Sequence, residues 1–506
     1  MSRFLVLAHT AIASFALLSL EVAAPRILAP ALGASLYTWT ATLGLVLSGL
    51  AIGAWVGGTL PRGMSPVFGL SGSLALGACL MCVSVAVADH VTEMGWWRDT
   101  PILARLFTVD AVALLPASIV LGAVIPLAAA ATVRTADGVG ISIGAIYAAS
   151  TMGGLAGTFV SGFWLVPTIG ARETVAVGAA IALAVAVAGA FTAGSRRLVA
   201  AIAACAVVGG VSAVDAIRRT PCDYETAYYC VRIDEQDVDA GAGPTLTLWL
   251  DHLSHSRISL FDPKRLSFSY LRAYGDLTAV VARDNPNFRA LVVGAGAYGF
   301  PRYIEDVYPS AIVYAIEIDP VLTEISHRRF GLRRDTRIIT RHGDARAVLS
   351  DWTGVDAFDI VYADAFNDLA MPWHLTTIEF LRVLKARMAP NAMYVSNVID
   401  QPRRHGAIAR SFVATIATVF PYTYALRWGP PESTRIETLV IVGSGRPIDF
   451  GPFDRVETIP EIPGARFGSA RVEEIERAAG DPDAVRLTDD YAPIDQLVAP
   501  LYVLRD

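Results

Sequence analysis

The residues in this sequence best suited to chemistry lie between Ala290 and Asp364. Three glycines, Gly294, Gly296 and Gly299, follow the apolar run at 290–293 with the spacing G-x-G-x-x-G, and a helix-like segment with Pro301 near its first turn comes next. A side chain at Gly294 or Gly296 would hold a ligand away from the backbone N–H groups that open that helix. A second apolar run, 312–318, brings in Glu317 and Asp319, about 20 residues past the first glycine, where an acidic group meets the hydroxyl pair of a ribose. The unit reads as a nucleoside-binding βαβ. Two more strand-like runs end in carboxylates: RIITRHGDARAVL at Asp344, followed by Ala345, and FDIVYADAFND at Asp364.

These positions need a sheet to hold them. Beyond 320 the pattern alternates: a helix at about 375–388, a strand at 392–399, a helix at 406–420, and strands near 422–428 and 438–443. That is an open, mostly parallel, doubly wound α/β sheet. Ligands of such sheets sit beyond the carboxyl ends of the strands, where Gly294, Glu317, Asp344 and Asp364 all fall. Each aspartate alone also reads as a helix N-cap; the set, at successive strand ends, reads as a site. Asp344, with the backbone at Ala345, can accept from an adenine amino group, and Asp364 lies deepest toward the reacting end. Upstream, TAYYCVRID and TLTLWLDHL alternate apolar and polar residues around the turn DAGAGP, which indicates a small β-domain. A helical stretch at 266–283 leads from it into the glycine-bearing strand.

The front of the chain is different. Of 506 residues 54% are hydrophobic and the mean hydropathy is +0.47, yet most charged residues follow Asp215. Seven apolar runs of spanning length fall at about 4–20, 38–60, 67–88, 107–131, 141–166, 172–192 and 198–217. The first lacks a convincing cleavage site and reads as a retained helix. Small residues such as Gly44, Ser48, Gly49, Gly53, Gly153 and Gly157 let helix backbones approach closely in lipid. Glu21 with Arg26, and Asp110, lie near run ends, where snorkelling or a local ion pair accounts for them. The expected domains are a transmembrane helical domain at 1–217, a small β-domain at 218–276 and a Rossmann-like α/β domain at 277–506.

Net charge is −6, and no Lys/Arg-rich run offers a nucleic-acid footprint, so nucleic acid is not an expected partner. No His/Cys cluster has metal-ligand spacing, so no metal is expected. Cys79, Cys82 and Cys205 read as small hydrophobes. Cys222 and Cys230 flank a short polar segment and can pair in an oxidising compartment. Lys and Arg divide nearly evenly between the two sides of the bundle, which leaves its orientation open.

The segments VVGAGAYGFPRYI, AIEIDP, GDARAVL and FDIVYADAF resemble the core of the spermidine synthases, the polyamine aminopropyltransferases. With its apolar front end the chain resembles the bacterial membrane-fused spermidine synthase-like proteins. ETAYYCVRI and LTLWLDHLSHS are similar to that family's N-terminal β-domain, and LTDDYAPID at 487–495 to its C-terminal signature. The resemblance implies a methyltransferase-type Rossmann-like domain binding decarboxylated S-adenosylmethionine. Gly294, Gly296 and Gly299 would form the cofactor loop, Glu317 and Asp319 the ribose site, and Asp344 and Ala345 the adenine contact. Asp364 would be catalytic, with Asp368, Asp251 and Tyr270 at the amine. It further implies spermidine biosynthesis from an amine such as putrescine, a homodimer, and a multi-pass plasma (inner) membrane protein in a lipid bilayer. A cofactor made in the cytosol would put the soluble domain in the cytoplasm. Three departures stand out: the acidic loop reads Asp364-Ala365-Phe366-Asn367 with Asp368 one place late, a cofactor-contacting Gln is His255, and Tyr-His-Glu is Tyr270-Leu271-Arg272.

The implied chemistry is attack by an amine on a sulfonium-activated carbon. An alkyl amine, with a pKa near 10, arrives protonated and needs a base, and Asp364 is placed to be one. Two other readings remain: a methyltransferase using intact S-adenosylmethionine, and a membrane transporter or sensor whose soluble half binds a nucleoside or polyamine without turnover.

Overall fold

The computed structural model describes residues 2–59, 65–94, 100, 102–132, 139–236, 244–354, 357–367, 369–401, 406–427, 435–449, 468–469 and 484–503. The chain divides into two compact units, residues 1–231 and 232–505.

Among its described residues the first unit contains seven helices long and apolar enough to cross a membrane, as the apolar runs predict: Arg3–Leu32, Leu36–Thr59, Pro66–Glu93, Leu115–Thr132, Val139–Ile169, Ala171–Ala193 and Arg196–Arg218. Glycine lets their backbones touch. A Cβ added at Gly153 would lie 2.0 Å from the carbonyl oxygen of Ala11, and one at Gly53 would lie 2.1 Å from that of Ile119. Buried polar pairs also link the helices, with His9 Nε2 2.9 Å from Ser71 Oγ and Ser161 Oγ donating to Ser19 Oγ at 2.9 Å.

Glu21 does not lie at a helix end, as the sequence suggested, whereas Asp110 falls in the last turn of the helix Ile102–Ala113, just before the fourth long helix. The first helix continues through Pro25 and Pro30 to Leu32, so Glu21 is buried inside it. Arg26, five residues on, lies on another face of the helix and donates instead to the carbonyls of Thr226, at 2.8 Å, and Tyr228. Asp110 is fully buried, with the Thr42 hydroxyl 3.4 Å away. Among the described residues, Arg172 forms an ion pair with Asp89 at 2.6 Å. Beyond the last helix, Cys222 and Cys230 form a disulfide that spans the short strand β1 (Tyr224–Glu225), which pairs antiparallel with the start of β2 (Cys230–Gln236). Glu225 accepts from the Ala171 N–H at 2.8 Å, at the start of the sixth long helix.

In the second unit TLTLWLDHL does not run as one strand. Asp251 takes φ +53° and turns the chain, giving the antiparallel hairpin β3 (Thr245–Leu250) and β4 (Leu253–Ser259). A helix, Ser269–Asp284, leads to the main sheet. Its strands are β5 (Arg289–Val293), β6 (Ile312–Glu317), β7 (Ile339–His342), β8 (Phe358–Ala363), β9 (Met388–Asp400), β10 (Tyr422–Arg427), β11 (Glu437–Ser444) and β12 (Gly468–Ser469). Their spatial order is β12-β10-β11-β9-β8-β5-β6-β7. From β7 to β9 neighbours run parallel, while β9, β11 and β10 pair antiparallel. This is the expected methyltransferase-type Rossmann-like sheet. Both faces are covered: Leu291, Val293, Val361 and Ala363 enter one core and Ala290, Val292, Ile360 and Tyr362 the other, so the central strands read as unbroken apolar runs. The order reverses between β5 and β8, the crevice where such sheets bind ligands. The 487–495 segment is tied to the rest through Asp489, which accepts from Arg346 Nη1 and from Thr377 Oγ1, each at 2.7 Å.

Candidate active site

β5 and β8 lie side by side with Val293 opposite Ala363, so the residues that follow them meet. Gly294 has φ +86°, and a Cβ there would lie 2.4 Å from the carbonyl oxygen of Asp364. Only glycine fits this approach. Gly296 follows at φ +53°, and Gly299 opens the helix Gly299–Val307. Tyr298 holds φ +60° without being a glycine. Its buried hydroxyl is anchored 3.0 Å from Thr323 Oγ1 and 3.1 Å from Thr340 Oγ1. A strained residue held this firmly marks a turn whose shape matters.

Glu317 ends β6 and is 4% exposed. Its Oε2 accepts from the N–H of Ala295 at 3.0 Å and of Gly296 at 3.1 Å, and its Oε1 from the N–H of Asp319 at 3.0 Å. Burial prevails over these bonds and pushes the carboxyl up to about 7. Glu317 therefore has a task the sequence did not reveal, holding the glycine turn shut, and it keeps a free lone pair for a ligand hydroxyl. Asp319 caps the helix Pro320–Arg329 through Oδ1, 2.9 Å from the Val321 N–H. Its Oδ2 is buried with no hydrogen-bond partner among the described residues, and such an orphan fits a ribose hydroxyl.

Asp344 is engaged in two ways. It caps Ala345–Ser350 through the Ala347 N–H at 3.0 Å, and His374 Nε2 lies 2.7 Å from its Oδ2. Burial alone would raise this carboxyl, but those bonds outweigh it and hold Asp344 below the usual carboxylate range.

Asp364 begins the loop after β8. Burial pushes its carboxyl up to about 7 despite hydrogen bonds from Asn397 and Tyr270. The Tyr270 hydroxyl donates at 3.3 Å, and burial, reinforced by Asp364, raises the phenol well above its ordinary value. His255 is neutral, because burial lowers its imidazole to about 4. Its neighbour Ser256 accepts from the Ala297 N–H at 3.3 Å. The structure thus brings Gly294, Gly296, Glu317, Asp364 and Tyr270 together. It places Asp251, buried, in the β3/β4 turn, and Asp368 lies outside the described residues. Among the described residues no group of three His, Cys, Asp or Glu is arranged to hold a metal ion.

Asn397 and His374 were missed in the sequence. Ser396 pairs with Ala363 across β8 and β9, which puts Asn397 beside Asp364; it lies inside β9, short of its end at Asp400, so no strand-end pattern marks it. Asn397 Oδ1 is buried and has no partner among the described residues.

Known proteins carry similar sequences. A probable polyamine aminopropyl transferase of Bifidobacterium longum is 27% identical over 44% of this chain and 51% of its own length. A polyamine aminopropyltransferase of Vibrio vulnificus is 33% identical over 34% of this chain and 56% of its own. The chain is thus similar to polyamine aminopropyltransferases. An eEF1A lysine and N-terminal methyltransferase of Danio rerio is also similar, at 25% identity over 29% of this chain and 22% of its own length. The chain spans about half the length of the two aminopropyltransferases it matches. No family model matches it.

Proposed function

We propose that this chain is a membrane-bound aminopropyltransferase that moves the aminopropyl group of decarboxylated S-adenosylmethionine to an amine. The observation that carries this reading is Asp364, a carboxyl with a pKa of about 7 beside Tyr270 and Asn397, next to a glycine turn latched by Glu317. The amine nitrogen attacks the methylene next to the sulfonium, the C–N bond forms as the C–S bond breaks, and methylthioadenosine leaves with the electron pair on a neutral sulfur. The ammonium arriving from solution gives its proton to Asp364 before attack. Glu317 and the Asp319 Oδ2 would hold the ribose, and Asp344 with Ala345 the adenine. Asp251 and Asp368 would lie on the amine side. Helices 3–218 would span the plasma membrane, with the soluble unit in the cytoplasm, where the donor is made, and the chain would act as a homodimer.

A second reading, methyl transfer from intact S-adenosylmethionine, is favoured by the similarity to the Danio rerio methyltransferase. The two separate by product: the full chain in detergent, given each donor with an amine, should release methylthioadenosine. Release of S-adenosylhomocysteine alone would make it a methyltransferase.

A further inference from the structure

A cation, Arg257, lies on β4, the strand that meets the glycine turn. β4 bulges at His255; past the bulge side chains alternate, so Arg257 takes one face and Ser256 the other, at the glycine turn. On the first face the Arg257 guanidinium lies 5.7 Å from the centre of the Phe268 ring. Phe268 stacks on Tyr270 with centroids 5.8 Å apart, and the Tyr270 hydroxyl reaches Asp364 at 3.3 Å. An aromatic ladder therefore runs from the proposed base to a guanidinium. The Arg257 side chain makes no hydrogen bond or ion pair among the described residues, and its Nε is buried without a partner. It lines a small cavity with Leu266, Leu271, Arg265, Arg302 and the single carboxylate Asp262. Asp262 is turned to its own loop, where it accepts from the Lys264 N–H at 3.0 Å. Arg302 is buried and donates to the carbonyl of Phe330.

A diammonium acceptor lying along this ladder would press its second charge on Arg257. An acceptor with an amine at one end and a carboxylate at the other would instead find a base for the first and an unpaired guanidinium for the second. We infer that the acceptor is an amine that carries a carboxylate, an amino acid with its amine on a flexible arm, and that Arg257 determines this preference. The inference rests on the aminopropyl-transfer reading and names the substrate class of that site.

The test uses the full chain in detergent with decarboxylated S-adenosylmethionine and two acceptors of equal length, 6-aminohexanoate and 1,6-diaminohexane. The amino acid should show the higher kcat/KM. Arg257→Gln should raise its KM about 10- to 100-fold, the loss typical of a charged hydrogen bond, with kcat little changed and the diamine unaffected. Arg257→Lys should restore part of the loss, and Arg257→Glu should reverse the preference. Titration calorimetry of 6-aminohexanoate into chain saturated with methylthioadenosine gives a readout independent of turnover. Turnover with the diamine at the lower KM, insensitive to Arg257, overturns this inference and leaves aminopropyl transfer standing. Binding of 6-aminohexanoate that is lost in Arg257→Gln, without turnover of either acceptor, does the reverse. Neither binding nor turnover overturns both.

Discussion

Replacing Asp364 by Asn tests the chemistry most directly. An alkylammonium has a pKa near 10, and an ordinary aspartate near 3.9 would face a mismatch of about 6 units in taking its proton. Burial raises Asp364 to about 7, which cuts the mismatch to about 3 units and makes the transfer about 4 kcal/mol less uphill. The cost is that only about half of the sites are ionised at pH 7. Since Asp364 must be deprotonated to act, wild-type kcat should rise with pH through about 7 and level above it. Asp364→Asn removes the base at nearly constant volume, and a lost general base lowers rate by about 10²–10⁴. Only the free amine then reacts, a fraction of about 10⁻³ at pH 7 that grows roughly tenfold per unit until about pH 10. The variant should therefore recover by a few hundredfold across that range. The assay is chromatographic release of methylthioadenosine at saturating donor between pH 6 and 10, with donor affinity measured in parallel and expected to hold. Near wild-type turnover of the variant at pH 7, or a loss that pH does not repair, would refute Asp364 as the base.

Glu317→Gln should weaken donor binding up to about a hundredfold, the value of a lost charged hydrogen bond of 2–3 kcal/mol. Wild-type affinity should rise with pH through about 7 as Glu317 ionises, and calorimetry that finds neither effect removes Glu317 from the site. Gly294→Ala should abolish donor binding and lower the melting temperature, since its Cβ would lie 2.4 Å from a backbone oxygen at φ +86°; a variant that melts and binds as wild type contradicts the turn. Glu317 and Asp364 both have folded values above their unfolded 4.5 and 3.8. The stability they lend is therefore complete below those values and lost as pH rises through about 7. The wild-type melting temperature should fall between pH 5 and 8 by more than that of the Glu317→Gln, Asp364→Asn double variant. After mild reduction of intact cells, Cys222 and Cys230 should resist a membrane-impermeant maleimide, as a cytoplasmic soluble unit requires; rapid labelling puts that unit outside.

The sheet was legible because β5, β6 and β8 are buried on both faces and so appear as short apolar runs, each closed by a glycine or a carboxylate. The seven long helices were legible for the same reason of composition. What escaped depended on contacts distant in sequence or on backbone shape without a marker residue. Asp251 turns the chain at φ +53° with no glycine to announce it. Glu21 was placed at a run end because the apolar run stops at about residue 20, yet the helix continues through Pro25 and Pro30 to Leu32, and prolines are tolerated in helices whose neighbours satisfy the freed carbonyls. Arg26 reaches Thr226, two hundred residues away, a partner no local pattern suggests. The Cys222–Cys230 bond, usual in oxidising compartments, and a cytosolic donor pull the soluble unit to opposite sides of the membrane, which is why the labelling result carries weight beyond topology.

The strand-end carboxylates look alike in the sequence, and the structure divides them by what surrounds each. Asp319 and Asp344 both cap helices, and Asp344 is further engaged by His374 and held acidic. That is the ordinary fate of an aspartate between a strand and a helix. Glu317 and Asp364 cap nothing and flank the point where the strand order reverses, and burial drives both toward neutrality. Desolvating a carboxyl that far destabilises a fold near pH 7, a cost the ordinary capping role does not require, so raised carboxyls in a ligand crevice point to chemistry rather than architecture. Of the two, Glu317 spends its oxygens on the glycine turn, whereas Asp364 receives one phenol and one amide and still faces the crevice. That leaves Asp364 as the carboxylate able to accept a proton from a bound amine without dismantling the turn that would hold the donor.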